Sequence, residues 1–279
     1  MKTTKVNIIG KVIGYFCGCL LIFLAVFPFI WMVVSSFKTK AEVFAIPLQL
    51  LPEIWNPVNY IAIFGDKNFP MMTSLLATFS VAASAVVLSL TLCTMAAYAF
   101  ARIQFKFKRL LFGICISTMF IPGIAILITS FLVVHAIGML NTWWVLVLPG
   151  LVSGYNIFFF RQFYLNMPTG LEEAALIDGC SRFKIYTSIY IPLSVPPLVV
   201  LGAGAFIGYW NSYLWPAMTV PSNKELMQVI QVLRSYSTFY GNDYGAVLAG
   251  ATVAAIPPII LFLIFQRKIV AGVVLSGLK

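Results

Sequence analysis

Charged residues in this chain fall at intervals between long apolar runs, and the lengths of those runs predict its elements. Residues 12–37 carry no charge. About 20 apolar residues make a helix that crosses a bilayer, whereas the apolar core of a secretory signal is about 7–15 residues, so this run predicts a first, uncleaved span over residues 13–34. A second span is expected over residues 74–98, where Ala and Ser recur at positions that let helices approach closely. Residues 110–160 are again free of formal charge, more than one span needs, and Gly138-Met139-Leu140-Asn141-Thr142 is the best place to turn. The pattern predicts a third span over residues 111–134, kinked at Pro122, and a fourth over 143–160, with Trp143 and Trp144 at the interface where indole rings prefer to lie. A fifth span, 193–215, opens with Pro196 and Pro197 and carries Gly204 and Gly208 at GxxxG spacing. A sixth, 246–265, holds Pro257-Pro258 at its middle, where its backbone bonding is expected to be interrupted. Residues 38–73, with Pro47, Pro52 and Pro57, and residues 216–245, with a helix-like stretch over 224–233, form two long connections. The fold class is all-α, a polytopic membrane protein with six transmembrane helices.

Composition strengthens this reading. Of the 279 residues, 61% are hydrophobic and 9% charged, against about a quarter charged in globular chains. A Lys or Arg at mid-bilayer costs about 2.5–3.5 kcal/mol, which confines the cations to loops. The net charge of +10 is then a topology signal and not a nucleic-acid footprint. With the N-terminus inside, thirteen of the 18 Lys and Arg lie on cytoplasmic segments, which predicts an N-in/C-in topology. Cys17, Cys19, Cys93 and Cys115 fall inside spans and Cys180 in a loop, with neither a disulfide framework nor a metal-ligand spacing. One histidine, His135, and few carboxylates leave no constellation for acid–base catalysis, so no catalytic residue and no metal site is expected. No GxxxxGK[ST] loop is present, so the chain has no P-loop with which to cradle ATP.

The most informative stretch is residues 172–192, EEAALIDGCSRFKIYTSIYIP, a polar segment between two spans. Thr169 and Glu172 have the spacing of a capping box, and Glu172 and Glu173 sit where a helix dipole favours negative charge. Leu171, Ala174, Ala175 and Asp178 recur at i, i+3, i+4 and i+7, a narrow face of mostly small side chains suited to a groove. Gly179 stands where a helix ends in the left-handed conformation, Ser181 can cap a second helix over residues 182–189, and Pro192 stops or kinks it. The spacing Glu173-Ala174-Ala175, three residues, Gly179, nine residues, Ile189, one residue, Ile191-Pro192 resembles the cytoplasmic loop of permease subunits of binding-protein-dependent ABC importers. Ile191 stands where that family more often has Leu. The end of the second span, Ala96-Ala97-Tyr98-Ala99-Phe100-Ala101-Arg102, is similar to the family's, as are the aromatic string Tyr209-Trp210-Asn211-Ser212-Tyr213-Leu214-Trp215-Pro216 and the tail from Gln266. The aromatic string resembles the carbohydrate-uptake branch and the tail the family's C-terminal segment, although no glycine follows Lys279.

The resemblance implies a type I ABC importer permease fold and a division of the chain by role. Residues 1–37 would be the cytoplasmic N-terminus and first helix, 38–73 an external loop, 74–160 helices two to four, and 161–192 the cytoplasmic coupling-helix loop. Residues 193–215 would be helix five, 216–245 a second external loop, and 246–279 helix six with a cytoplasmic tail. Glu172, Glu173, Ala174, Ala175, Asp178, Gly179 and Pro192 would couple to an ATPase, Glu173 as an anchoring charge and Gly179 as the turn that aims the helix. The implied assembly holds a second homologous permease, as a heterodimer, two ATPase subunits that bind ATP and Mg, and an extracytoplasmic solute-binding protein, in a bacterial cytoplasmic (inner) membrane. The substrate class is a sugar, oligosaccharide or polyol, translocated by alternating access. Candidate path residues are Asn211, Trp210, Tyr209, Ser212, Asn156, Tyr155 and Ser153, although such polar and aromatic residues in spans more often serve as interhelical bonding, packing or interface residues. The alternative is a self-sufficient secondary carrier or channel for a small neutral solute, which the proline-broken spans leave open.

Overall fold

The computed structural model describes residues 8–239 and 244–277, all of whose regular structure is helical. In chain order the elements are α1 (Ile8–Ser35), α2 (Lys40–Val43), α3 (Val58–Gly65), α4 (Met71–Arg102), α5 (Lys108–Ser117), α6 (Gly123–Ala136), α7 (Trp143–Val147) and α8 (Gly154–Leu165). There follow α9 (Gly170–Ile177), α10 (Arg182–Ile185), α11 (Ile191–Leu193), α12 (Val195–Trp210), α13 (Leu214–Thr219), α14 (Val229–Phe239) and α15 (Tyr244–Gly277). Three helices, within α1, α4 and α15, are long and apolar enough to cross a membrane unbroken. Three further candidates are bent pairs: α5 to Phe120 with α6 at 106°, α7 to Gly150 with α8 at 48°, and Arg182–Leu193 with α12 at 78°. Counting each pair as one span gives six.

The breaks are not all where the prolines suggest. Pro122 does separate α5 and α6, in an extended conformation that ends one helix and precedes the next. Pro257-Pro258 does not interrupt α15, which continues through both. Two adjacent prolines remove only two helix amides, and the apolar helix on either side is long enough to hold its axis. Pro192 is likewise inside helical structure; the chain passes from α10 through a π turn, Tyr186–Tyr190, into α11 and bends at Ser194 instead. There the Tyr190 carbonyl accepts from the Ser194 hydroxyl at 2.6 Å, while the Ser194 amide donates to the Ile191 carbonyl. The fifth span therefore ends at Trp210, and Trp215 belongs to the separate α13. The helix expected over residues 224–233 lies further on, as α14.

By contacts the chain forms two compact units. The first comprises residues 1–71 and 233–255. Its core holds Ile63, Met71, Tyr236 and Ala249, with the Tyr236 hydroxyl donating to the carbonyl of Ile63 at 3.2 Å. A capping box starts α2, Thr39 with Glu42, and Asn59 Nδ2 donates to the carbonyls of Ser36 and Lys38. Lys38 is buried over the Trp31 ring; desolvation lowers its pKa from the ordinary lysine value, against the opposing charge of Glu42. The second unit comprises residues 72–232 and 256–279 and packs two apolar clusters. One joins Val81 and Ala85 of α4 to Val145, Leu146 and Val147 of α7. The other joins Ala97 and Tyr98 of α4 to Phe160 and Tyr164 of α8 and to Ile185, Tyr186 and Tyr190. This second cluster is the bed on which the 172–192 loop lies.

Candidate functional site

The loop is built from its buried side. Thr169 has helical backbone angles, φ −68° and ψ −29°, and its side chain makes no cap, so the expected box with Glu172 does not form. The first turn is instead closed by the Thr169 carbonyl, which accepts from the amides of Glu172 and Glu173 at 2.9 and 3.0 Å. The reason is that the Glu172 side chain is claimed elsewhere. It turns into the protein, 9% exposed, where it accepts from the Tyr190 hydroxyl at 2.9 Å and pairs with Arg182 Nη1 and, at 3.7 Å, with Arg102 Nε. Arg102, the last residue of α4, also donates through Nη2 to the carbonyls of Tyr164 and Met167, both at 2.6 Å. A cation at the carbonyl end of α8 satisfies both orphan acceptors and the local dipole.

One carboxylate thus joins four pieces of chain: the end of α4, the end of α8, the start of α9 and the α10–π-turn segment. Tyr190 packs within this knot, its ring 4.8 Å from Tyr98 and 5.1 Å from Tyr164, and Thr94 shares a 2.8 Å hydrogen bond with the Tyr186 hydroxyl. Burying charge is costly unless each ion is paired; here Glu172 is paired with two arginines and bonded by Tyr190, while the Nε of Arg102 is held by the ion pair alone.

With Glu172 turned inward, α9 presents its other residues. Glu173, Ala174 and Asp178 are exposed, as are Leu171 and Ile177, the latter at 87%. Ala175 differs from the expected face: it is half-buried and packs on the aromatic bed, because its small side chain is what lets α9 lie close. Gly179 has φ +76°. Its amide donates to the Leu176 carbonyl at 3.1 Å and the Cys180 amide to that of Ala175 at 2.9 Å, the paired closure of a left-handed helix end. Ser181 then caps α10 by accepting from the Lys184 amide at 3.3 Å. Sequence reasoning missed Arg102, Arg182 and Tyr190 as partners of Glu172. The signals are present, an Arg closing a string of small residues and tyrosines four apart at Tyr186 and Tyr190, but nothing in their spacing says that they meet.

The other candidate residues separate. Tyr209 and Ser212 line one cleft of about 450 Å³, with Ser130, Gly150 and Trp215. Trp210 is buried elsewhere, stacked on Phe206 at 5.5 Å and 17°. Asn211 ends α12 and is exposed, its amide donating to the Ile207 carbonyl at 3.0 Å. Ser153 caps α8 through the Asn156 amide, Asn156 is buried, and Tyr155 points outward at 52% exposure. The cleft contains a close approach: a Cβ on Gly150 would collide with the Tyr209 hydroxyl, so a larger residue there has to displace the Tyr209 ring. The small residues at GxxxG spacing, Gly204 and Gly208, have no neighbour within 4 Å of a would-be Cβ; Gly202 makes the close contact instead, with Leu90 of α4.

Known proteins resemble the chain over its length. The family model described as "Binding-protein-dependent transport system inner membrane component" matches residues 92–274. The sulfoquinovosyl glycerol transport system permease protein SmoH of Agrobacterium fabrum is 30% identical over 272 residues, which cover 97% of this chain and 94% of that one. The arabinooligosaccharides transport system permease protein AraQ of Halalkalibacterium halodurans is 32% identical over 259 residues, 92% of each chain. Among solved structures, a chain of a bacterial ABC transporter involved in the import of the acidic polysaccharide alginate superposes with a TM-score of 0.82 at 25% identity, covering 96% of this chain and 98% of that one.

Proposed function

The chain belongs to the family of binding-protein-dependent transport system inner membrane components, and from that premise we propose that it is one of two related permease subunits of an ABC importer for sugars or oligosaccharides. The relatives support the substrate class: they are named for a sulfosugar glycoside, arabinooligosaccharides and lactose. A solute-binding protein delivers the substrate outside; a solved relative is described in complex with an alginate pentasaccharide-bound periplasmic protein. Two separate ATPase subunits supply the motor and bind ATP and Mg. Both termini face the cytoplasm.

The observation that carries this reading is the division of α9 into a buried root and an exposed tip. Glu172 fastens the helix to α4, α8 and the α10 segment, while Glu173, Ala174, Ile177 and Asp178 are left to an external partner. Closure of the ATPases on ATP pushes this tip, and the push reaches three spans through a charged, hydrogen-bonded joint. Glu173 supplies the anchoring charge toward the ATPase and Gly179 sets the angle of the helix. Tyr209 and Ser212 line the substrate path, and Asn211 lies outside the cleft they share.

The test is to extract the tagged chain in mild detergent, identify co-purifying proteins by mass spectrometry and measure ATP hydrolysis and uptake. Recovery of an ATPase and a second permease, both lost in Gly179→Val, is the expected result. A chain that extracts alone and transports solute by itself overturns the reading.

A further inference from the structure

The turn between α4 and α5, residues 103–107, joins two spans and so lies at a membrane face, at the depth of lipid headgroups. A cavity of about 670 Å³ opens beside it. The floor is aromatic: Phe100 pairs with Phe105 at 5.8 Å and with Phe112 at 5.3 Å. The rim is cationic, formed by Lys108, Arg109 and Arg161. Arg161 is held in one pose, its Nε donating to the Phe100 carbonyl at 3.1 Å and its guanidinium 4.1 Å over the Phe112 ring. That arrangement fixes the plane of the guanidinium and leaves its terminal nitrogens as a fork for an oxyanion. Lys108 Nζ donates to the Ile103 carbonyl at 2.8 Å, which ties it to the end of α4 while keeping its charge at the cavity.

Among the described residues no carboxylate pairs with these three cations. The sequence has no acidic residue between Asp66 and Glu172, and Glu172 is engaged by Arg102 and Arg182. Like charges gathered on an apolar wall repel one another unless an anion sits among them. The field is reinforced by α5, which starts from Phe107 at φ 63° without a side-chain cap, so no side chain competes for its first amides. Beside the cations Phe107 and Leu110 are 63% and 60% exposed, an apolar lip, and Leu111 and Ile114 further along α5 are exposed as well.

We propose that this cavity binds the phosphate of an anionic phospholipid, with Arg161 as the forked donor, Lys108 and Arg109 as flanking charges, and Phe107 and Leu110 against the acyl chain. A zwitterionic lipid carries its own cation beside the phosphate and meets repulsion here; a phosphatidylglycerol does not.

Native mass spectrometry of the full chain with its associated subunits, taken from bilayers of mixed phosphatidylglycerol and phosphatidylcholine, reads which lipid is retained. The unaltered protein is expected to retain phosphatidylglycerol by about tenfold over phosphatidylcholine. Arg109→Gln with Arg161→Gln is expected to remove that preference, and Lys184→Gln, at an exposed cation on α10, to preserve it. Equal retention of the two lipids, or a preference that survives the double substitution, overturns the proposal. Excess inorganic phosphate separates the two sources of the anion: lipid retained in its presence supports the site, and lipid displaced by it assigns the cavity to free phosphate and overturns it. Loss of an associated subunit from the double variant with lipid preference intact assigns the cations to a protein contact and overturns it as well.

Discussion

Two adjacent glutamates with the same side chain are given opposite surroundings. Glu172 is buried among two arginines and a tyrosine, whereas Glu173 is exposed. Removing one member of a buried ion pair leaves the other charge uncompensated, at a cost of about 3–5 kcal/mol. Glu172→Gln is therefore expected to lower the thermal midpoint of the detergent-solubilised protein by several degrees and to reduce uptake with it. Glu173→Gln is expected to leave the midpoint unchanged while uptake falls. A thermal-unfolding scan of the two variants side by side separates stability from coupling, and equal midpoints would remove Glu172 from its role as root. Gly179 gives a second contrast at this scale. At φ +76° a β-branched residue is strongly strained, whereas Asn tolerates the left-handed region. Gly179→Val is expected to abolish uptake with the chain still in the membrane fraction, and Gly179→Asn to keep a substantial part of it, both read by transport assay and immunoblot.

Among the elements, what matters is which breaks are real. Pro122 breaks its span through 106°, yet α15 passes unbroken through Pro257-Pro258, so proline alone does not tell a kink from a continuous helix. Neighbouring side chains decide close approaches more sharply. The Tyr209 hydroxyl sits where a Cβ on Gly150 would fall, with the ring carbon that bears it at 3.1 Å. Gly150→Ala is expected to destabilise by about 1–3 kcal/mol through overpacking. Tyr209→Phe removes the clashing oxygen, so the double variant is expected to recover part of that loss, a coupling of about 0.5–3 kcal/mol measured as a double-mutant cycle on thermal stability. Additive losses would show that α12 and the turn before α8 do not meet in this way.

For the molecule as a whole the decisive quantity is its direction in the bilayer. The distribution of Lys and Arg predicts both termini inside. Ile177 at the tip of α9 and Ile46 in the 38–73 connection are 87% and 98% exposed, which makes them suitable reporters. Ile177→Cys is expected to react with a membrane-impermeant maleimide only in inside-out vesicles, and Ile46→Cys only in intact cells, scored against a background in which the native cysteines are replaced. The reverse labelling would invert the topology and, with it, the side on which α9 meets its partner.

Helical class and the number of candidate spans were legible because the hydrophobic requirement of a bilayer is local: each run must satisfy it by its own length, and three helices do so unbroken and three more as bent pairs. The Gly179 turn and the Ser181 cap were legible for the same reason, since backbone conformation and capping are settled within a few residues. The end of α9 could be written down from sequence; its beginning could not, because the Glu172 carboxylate prefers Arg102, Arg182 and Tyr190 to the Thr169 backbone. Arg102 and Glu172 lie 70 positions apart, and no periodicity relates residues whose meeting depends on how separate helices pack. The same holds for the cleft, which gathers Tyr209 and Ser212 but turns Trp210 and Asn211 elsewhere. What each segment does with its own backbone was settled locally along the chain, while the choice of partner for every buried charge and every ring was made only by the packing of helices distant in sequence.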